Sequence, residues 1–159
     1  MTTYYCIHNS PIGKLLILGR EDMVTEIRFE NSWTTKDTAD YSLNNTVFAQ
    51  TISQLNEYFK GTRKIFTVPI APIGTIFQKT VWRQLTKIPY GTTLSYGDIA
   101  EQINNPKGCR AVGMANGKNP IPIIIPCHRV IGKNGTLTGF GGGIDVKQQL
   151  LNIEQSKLT

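Results

Sequence analysis

The sequence holds few of the residues that build disulfide frameworks and metal clusters. Among 159 residues, the cysteines are Cys6, Cys109 and Cys127, and the histidines are His8 and His128. The cysteines lie far apart and form no CxxC pair, which argues against a disulfide scaffold and a zinc cluster. An odd number of cysteines fits a reducing compartment, where a thiol stays reactive. We therefore predict neither a metal nor another cofactor.

Long hydrophobic runs are also missing. No apolar stretch approaches the roughly 20 residues that span a bilayer, and the first residues show no basic-then-apolar targeting segment. We expect a protein without a membrane partner that works in the cytoplasm, at the nucleoid in a prokaryote, or in the nucleus of a eukaryote.

Acidic residues are fewer than basic ones. Seventeen Lys and Arg stand against eleven Asp and Glu, so the net charge is +6. A basic balance favours polyanionic partners such as nucleic acid, although a basic surface kept for solubility would give the same balance. The composition, 40% hydrophobic and 18% charged, is that of an ordinary globular protein of one domain or two small ones.

The first sixty residues predict a small unit of strands and one helix. Short apolar runs alternate with turns in the first thirty residues, which is typical of a β-meander. Residues 31–45 are polar and aperiodic, and we predict a loop there. From Val47, apolar residues at helical spacing predict a helix that ends at Gly61. Its apolar face would carry Phe48, Ile52, Leu55 and Phe59.

A linker and a second, mainly helical domain follow. The stretch TVPIAPIG breaks the periodicity with prolines and a glycine. We therefore predict domains at 1–70 and 71–159. Thr75 is the predicted N-cap of the next helix, which ends before Pro89. Its core positions would be Phe77, Val81 and Leu85.

Two short helical segments separated by a turn come next. The first begins at Ser95, and the second is KGCRAVGMANG at 107–117. This is the spacing of a helix-turn-helix, a weak signal because proteins that never touch DNA also contain it. Small residues recur in the second segment: Ala111, Gly113, Ala115 and Gly117. Because glycine inside a helix costs about 0.5–1 kcal/mol relative to alanine, we expect another backbone, from a packed neighbour or a ligand, to come close.

The hexapeptide IPCHRV places Cys127 beside His128. A cysteine is nucleophilic only as its thiolate, so a base must take its proton. Adjacent side chains in a strand point to opposite faces, so the two can meet only at a turn, which Pro126 favours, or through a water. A carboxylate should orient the histidine, and the downstream candidates are Asp145 and Glu154. A buried, inert thiol is the competing interpretation.

Two segments closely resemble the active-site region of the O6-alkylguanine-DNA alkyltransferases, also called methylated-DNA–protein-cysteine methyltransferases. They are FQKTVWRQLTKIPYGTTLSYGDIA and RAVGMANGKNPIPIIIPCHRVIGKNGTLTGFGGGIDVKQQLLNIE, which together cover about residues 74–154. The resemblance implies an α+β fold. A small N-terminal β-meander-plus-helix (ribonuclease-H-like) domain would precede a mainly helical, winged-helix-like C-terminal domain with a helix-turn-helix.

The resemblance implies DNA repair by direct reversal. Cys127 would irreversibly accept a methyl or small alkyl group from O6-alkylguanine, or from O4-alkylthymine, in a nucleotide flipped out of double-stranded DNA. The protein would be a monomer that acts once. His128 would deprotonate Cys127 through a water, and Glu154 would orient the histidine and stabilise its charged form. Asn119 would tie the helix-turn-helix to the active-site turn. On this view Cys127 titrates well below the ordinary thiol value.

The resemblance also implies residues that bind DNA and the base. Tyr96 would rotate the target nucleotide and stabilise the leaving guanine at a ring nitrogen, and Arg110 would fill the gap in the base stack. The helix would enter the minor groove through Ala111, Gly113 and Ala115. The substrate pocket would be formed by Pro122, Val130, Phe140 and Gly141. Some relatives bind zinc in the N-terminal domain, which Cys6 and His8 alone cannot reproduce.

Two other classes of function compete. A Cys-His hydrolase would use the same nucleophile and base, but it would need an oxyanion hole and would turn over repeatedly. A DNA-damage-binding relative of the family would carry tryptophan in place of Cys127. The glycine run at 141–143 is also compatible with phosphate binding, but no GK[ST] follows it. A wing or pocket loop fits that run better.

Overall fold

The protein divides into two compact units. The computed structural model describes residues 2–156, and the units are Met1–Pro72 and Ile73–Thr159. The boundary between them falls inside the stretch that the sequence indicates as a linker. Among the described residues, no helix combines the length and apolarity that crossing a membrane requires.

The first unit is built on the predicted antiparallel meander. Strands β1 (Tyr4–Ser10), β2 (Gly13–Arg20) and β3 (Met23–Arg28) pair in sequence order. Gly13 has φ 108°, a left-handed conformation that glycine adopts without strain and that closes the first hairpin. The central strand β2 is buried along most of its length, so the core of this unit lies on the sheet.

The loop predicted at 31–45 is wrong in one respect. Two short 3-10 turns, Glu30–Ser32 and Thr35–Thr38, lead to strand β4 (Ser42–Leu43). This strand pairs in parallel with β1 and completes the sheet order β3-β2-β1-β4. A strand of two residues has no periodicity to read, and for that reason the sequence pattern did not reveal it.

Helix α1 (Ala49–Phe59) forms close to the predicted limits, but its buried face is rotated from the prediction. The buried residues are Thr51, Gln54, Leu55 and Tyr58. The Gln54 amide donates to Oγ1 of Thr67 at 2.6 Å and accepts from the Thr67 amide at 2.9 Å. These two bonds explain why a polar residue sits on the buried face, and they fix the start of the linker against the helix.

The second unit is mainly helical, as predicted. Its helices are α2 (Ile76–Leu85), α3 (Tyr96–Gln102), α4 (Cys109–Gly117) and α5 (Ile144–Ser156), and strands β5 (Leu94–Ser95) and β6 (Val130–Ile131) pair in parallel. Thr75 and Ser95 cap α2 and α3 through capping boxes. Both helix starts were predicted from the sequence.

Helices α2 and α4 pack through a residue that the sequence pattern did not indicate. Trp82 is 2% exposed, and its Nε1 donates to the carbonyl of Ala115 at 2.8 Å. Phe77, predicted to be in the core, is only half-buried. The buried face of α2 therefore runs through Val81, Trp82 and Leu85.

Candidate active site

Cys127 and His128 lie on one tight turn. Residues Cys127–Arg129 form a 3-10 helix, closed by hydrogen bonds from the Cys127 amide to the Ile125 carbonyl at 2.8 Å and from the Arg129 amide to the Pro126 carbonyl at 3.0 Å. The thiol residue is 4% exposed and the histidine is fully buried. The structure thus forms the turn that two adjacent side chains need in order to act together.

Two asparagines at the end of α4 hold this turn. Asn119 donates from Nδ2 to the Ile125 carbonyl at 2.8 Å and accepts from the Ile121 amide at 3.0 Å. Asn116, which the sequence analysis did not single out, reaches the Cys127 carbonyl at 3.4 Å. The helix-turn-helix is therefore bonded directly to the segment that carries the thiol, where the resemblance places a tie through Asn119.

The apolar run before the thiol contains a strained residue. Ile123 has φ 75° and is 1% exposed. Positive φ is unfavourable for a β-branched side chain and persists only where the surroundings impose it. Here the turn is closed by the Ile125 amide, which donates to the Ile121 carbonyl at 2.9 Å. Packing and hydrogen bonding thus fix the backbone that leads to Cys127.

Glu154 is the carboxylate that reaches the histidine. Nε2 of His128 lies 2.6 Å from Oε2 of Glu154, and both side chains are buried. Asp145 lies in the first turn of α5 instead. Because an ionised carboxylate can only accept, Nε2 carries a proton, and in the neutral imidazole Nδ1 is the ring nitrogen without one.

Arg129 binds the same carboxylate, a role that the sequence analysis missed. Its Nε and Nη2 donate to Oε1 and Oε2 of Glu154 at 2.8 and 3.1 Å, and Nη1 donates to the Ile88 carbonyl at 2.7 Å. This paired geometry is the one that arginine forms best with carboxylates. The available signal was the position of this arginine in the PCHR tetrapeptide, next to the candidate nucleophile and base.

The charges in this cluster follow from burial and pairing. Burial lowers the pKa of His128, so the imidazole is neutral at pH 7. Burial would raise the pKa of Glu154, but its hydrogen bonds with His128 and Arg129 and the nearby charges outweigh burial and leave that pKa below its ordinary value. Because the imidazole is neutral, the permanent cation beside Glu154 is Arg129.

The predicted low pKa of Cys127 is wrong for the protein without DNA. Burial raises the pKa of this thiol to about 11, and the hydrogen bond from Asn119 and the charge of Lys147 only partly offset that effect. At pH 7 both the thiol of Cys127 and the imidazole of His128 are therefore neutral, and a thiolate is not preformed.

Lys147 is a third residue, after Asn116 and Arg129, that the sequence pattern did not reveal. Its side chain is fully buried in α5, and Nζ donates to the Val130 carbonyl at 2.6 Å and to the Thr138 carbonyl at 3.1 Å. Burial lowers the pKa of this lysine. Lys147 has the spacing of the buried face of α5, which also carries Leu150, Leu151 and Glu154. That spacing was the signal that could have revealed it.

The predicted pocket residues differ in exposure. Pro122 and Val130 are buried, Phe140 is half-buried and Gly141 is exposed. Tyr96 is half-buried, and its hydroxyl lies 2.8 Å from Oγ1 of Thr138. Among the residues described, no group of three His, Cys, Asp or Glu is placed to hold a metal ion.

Helix α4 presents a narrow exposed face. Its exposed residues after Cys109 are Arg110, Ala111, Met114 and Gly117. Gly113 is half-buried, and a Cβ built there would lie 3.8 Å from the Tyr96 ring. Ala115 was predicted to contact DNA, but it is 3% exposed and packs toward Trp82. The structure therefore places Arg110 and Ala111 on the exposed face and Ala115 on the opposite one.

The net charge belongs to one of the two units. The first unit has seven Lys and Arg and seven Asp and Glu, whereas the second has ten and four. The whole excess of +6 therefore lies in the unit that contains the helix-turn-helix and Cys127. Such a concentration of basic residues favours a polyanionic partner for this unit.

Two family models together cover nearly the whole chain. The ribonuclease-like domain of 6-O-methylguanine DNA methyltransferase matches residues 2–72, and the DNA binding domain of the same family matches residues 76–156. The chain belongs to this family. The α+β fold that the resemblance implied, with its ribonuclease-like first domain and helical second domain, is thereby confirmed.

Individual relatives of the methyltransferase family are similar over most of their lengths. The methylated-DNA–protein-cysteine methyltransferase of Methanosarcina acetivorans is 49% identical over 96% of this chain and 99% of its own. That of Mycolicibacterium paratuberculosis is 48% identical over 92% and 89%. The crystal structure of Mycobacterium tuberculosis OGT in complex with DNA has a TM-score of 0.91 at 45% identity, covering 97% of this chain and 94% of that one.

Proposed function

We propose that this protein repairs DNA by direct reversal, as a methylated-DNA–protein-cysteine methyltransferase that transfers an alkyl group to Cys127. The observation that carries the proposal is the buried cluster of His128, Glu154 and Arg129 on and beside the turn that holds this cysteine. Membership of the family supports the reaction type. Each molecule acts once, because a thioether does not hydrolyse.

The transfer step uses the resting charges of the cluster. Sγ of Cys127 attacks the methyl carbon of O6-methylguanine, a sulfur–carbon bond forms and the carbon–oxygen bond breaks. The thiol proton passes to Nδ1 of His128, directly or through a water. The departing guanine takes a proton from water to become the neutral base, and the imidazolium then returns its proton to water, so the thiol proton is balanced by the proton on guanine. Glu154, kept ionised by Arg129, stabilises the imidazolium that forms.

The rigidity of the turn matters for this chemistry. Displacement at a saturated carbon requires sulfur, carbon and oxygen in line, so an imprecise nucleophile is slow. Asn119, the strained Ile123 and the closed 3-10 turn restrict where the thiol can lie. The target base must come to the thiol, which requires it to leave the duplex.

Double-stranded DNA is the partner that the second unit fits. Its excess positive charge suits phosphates, and the small exposed residues Ala111 and Gly117 of α4 allow close approach to a narrow groove. In this proposal, Arg110 fills the gap that the flipped nucleotide leaves in the base stack, and Tyr96 helps to rotate that nucleotide out of the duplex. The specific substrate that we propose is O6-alkylguanine, and the protein binds it as a monomer. It would work where the DNA lies, which is the cytoplasm and nucleoid in a prokaryote and the nucleus in a eukaryote.

Intact-mass measurement tests the proposal. The protein is mixed with excess duplex that contains O6-methylguanine, and we expect one methyl group on Cys127 and then no further reaction. Cys127→Ser should gain none, whereas Cys6→Ser and Cys109→Ser should still gain one. Repeated turnover, or hydrolysis of activated esters at Cys127, would point to a hydrolase instead.

A further inference from the structure

Tyr96 and Thr138 are joined by a hydrogen bond across the second unit. The phenol oxygen and Oγ1 of the threonine lie 2.8 Å apart, and either atom can donate. Tyr96 is the first residue of α3, whereas Thr138 lies 42 positions later, between β6 and α5. The bond thus fixes the phenol oxygen from a distant segment of the chain.

Thr138 is itself anchored from the interior. Its carbonyl oxygen accepts from Nζ of Lys147 at 3.1 Å, and the same ammonium donates to the Val130 carbonyl at 2.6 Å. Lys147 is fully buried. Although the Thr138 side chain lies at the surface, its backbone is therefore held in a fixed position relative to β6.

We propose that Thr138 is a positioning residue for Tyr96: its hydroxyl donates to the phenol oxygen while the phenol donates to the target base. The inference rests on the proposed function, in which Tyr96 bonds a ring nitrogen of the leaving guanine. A ring nitrogen without hydrogen only accepts, so the single phenol proton must be used there. A threonine hydroxyl has one donor and two acceptor sites, and it can rotate to supply the bond that Tyr96 then accepts.

This arrangement helps the transfer step in two ways. A hydroxyl that accepts a hydrogen bond is polarised, which makes it a stronger donor. The bond also holds the phenol in one orientation before the base arrives, so less ordering is needed at the moment of reaction. Both effects favour stabilisation of the negative charge that develops on the departing guanine. DNA affinity depends mainly on phosphate contacts and should change little.

Single-turnover methyl transfer from a duplex with O6-methylguanine measures the effect. Thr138→Val removes the hydroxyl but keeps the branched shape, and Thr138→Ser keeps the hydroxyl. We expect Thr138→Val to lower the maximal transfer rate about 3- to 10-fold, the worth of one hydrogen bond. The half-saturating DNA concentration should stay unchanged, and Thr138→Ser should restore the rate.

The same substitution in a Tyr96→Phe background identifies the partner. Without a phenol oxygen, Thr138→Val should cause no further loss, because the two changes remove one interaction. The inference would be overturned if Thr138→Val lowered the rate equally in both backgrounds, or if Thr138→Val alone transferred at the wild-type rate. Neither result would affect the proposed function, provided that the wild-type protein transfers a methyl group. A wild-type protein that transfers no methyl group would overturn both.

Discussion

Arg129 and Glu154 form a buried two-point ion pair, with Nε to Oε1 at 2.8 Å and Nη2 to Oε2 at 3.1 Å. Oε2 of the same carboxylate also accepts a hydrogen bond from Nε2 of His128 at 2.6 Å. The carboxylate of Glu154 thus contacts both Arg129, a permanent cation, and His128, the proposed base. Because the guanidinium keeps Glu154 ionised, a histidine that gains a proton from the thiol has a negative charge 2.6 Å away that attracts the new positive charge.

The choice of Glu154 over Asp145 is testable by matched amide substitutions. Glu154→Gln removes the negative charge that stabilises the imidazolium, so we expect single-turnover transfer to slow by ~10²-fold or more. Asp145→Asn keeps a short polar side chain in the first turn of α5 and should transfer near the wild-type rate. Rates are compared at a temperature where circular dichroism shows both variants folded. A large loss in Asp145→Asn beside normal transfer in Glu154→Gln would reverse our assignment.

Arg129 should matter for stability as well as for transfer. Replacing it with glutamine leaves Glu154 buried without its cation, and we expect the free energy of unfolding to fall by about 3–5 kcal/mol. Arg129→Lys keeps a charge but cannot make both bonds, so its loss should be smaller. Urea titrations of the two variants measure this order. Equal stability of Arg129→Gln and wild type would show that the pair contributes nothing.

Patterns in the sequence predicted the parts of the fold that have a period or a cap. The meander, the N-caps Thr75 and Ser95 and the turn at Cys127 are all present. Strand β4 is too short to carry a pattern. In general, side-chain partners between distant elements have no local signal, and only the folded chain shows them.

The site illustrates the same limit. The thiol next to an imidazole pointed to Cys127 and His128 and to a downstream carboxylate, either Asp145 or Glu154; the resemblance selected Glu154, and the structure brings Glu154 into contact with His128. Lys147 could not be assigned a partner, because its acceptors are backbone carbonyls that any residue provides. The direction of the Cys127 pKa shift was wrong because burial, which a sequence does not display, outweighs the neighbouring groups.

Substitutions of Arg110 and Cys127 should have different effects on DNA binding and on methyl transfer. Arg110 is exposed on α4, and we propose that it fills the gap in the base stack, whereas Cys127 alone forms the new bond. Cys127→Ser should abolish transfer and keep DNA affinity within about tenfold, or about 1.4 kcal/mol. Arg110→Ala should weaken both binding and transfer from duplex, measured by fluorescence anisotropy and by mass. Wild-type transfer by Arg110→Ala would remove its proposed role.

The raised pKa of Cys127 predicts how the protein without DNA reacts with a small alkylating agent. Since only the thiolate reacts and the pKa is about 11, the rate should rise about tenfold per pH unit from about pH 7 to 9 without levelling off. The urea-unfolded chain is the control, and its rate should level near the ordinary thiol pKa of about 8.5. Mass spectrometry follows modification at Cys127. A plateau below that value in the folded protein would mean that the thiolate is preformed.

Stability at alkaline pH should report on Cys6, the buried thiol of the first unit. Burial raises its pKa to about 12, whereas an ordinary thiol has a pKa of about 8.5, so the folded chain keeps a proton that the unfolded chain loses. A raised pKa contributes stability that is present below about pH 8.5 and is lost as the pH rises toward 12. The loss should approach 1.36 kcal/mol per pH unit for one group. Urea titrations between about pH 8 and 10 compare wild type with Cys6→Val, which has a similar volume and no proton to lose. As the pH rises, the wild type should lose more unfolding free energy than the valine variant. A constant difference between the two proteins would show that Cys6 ionises equally in the folded and the unfolded chain.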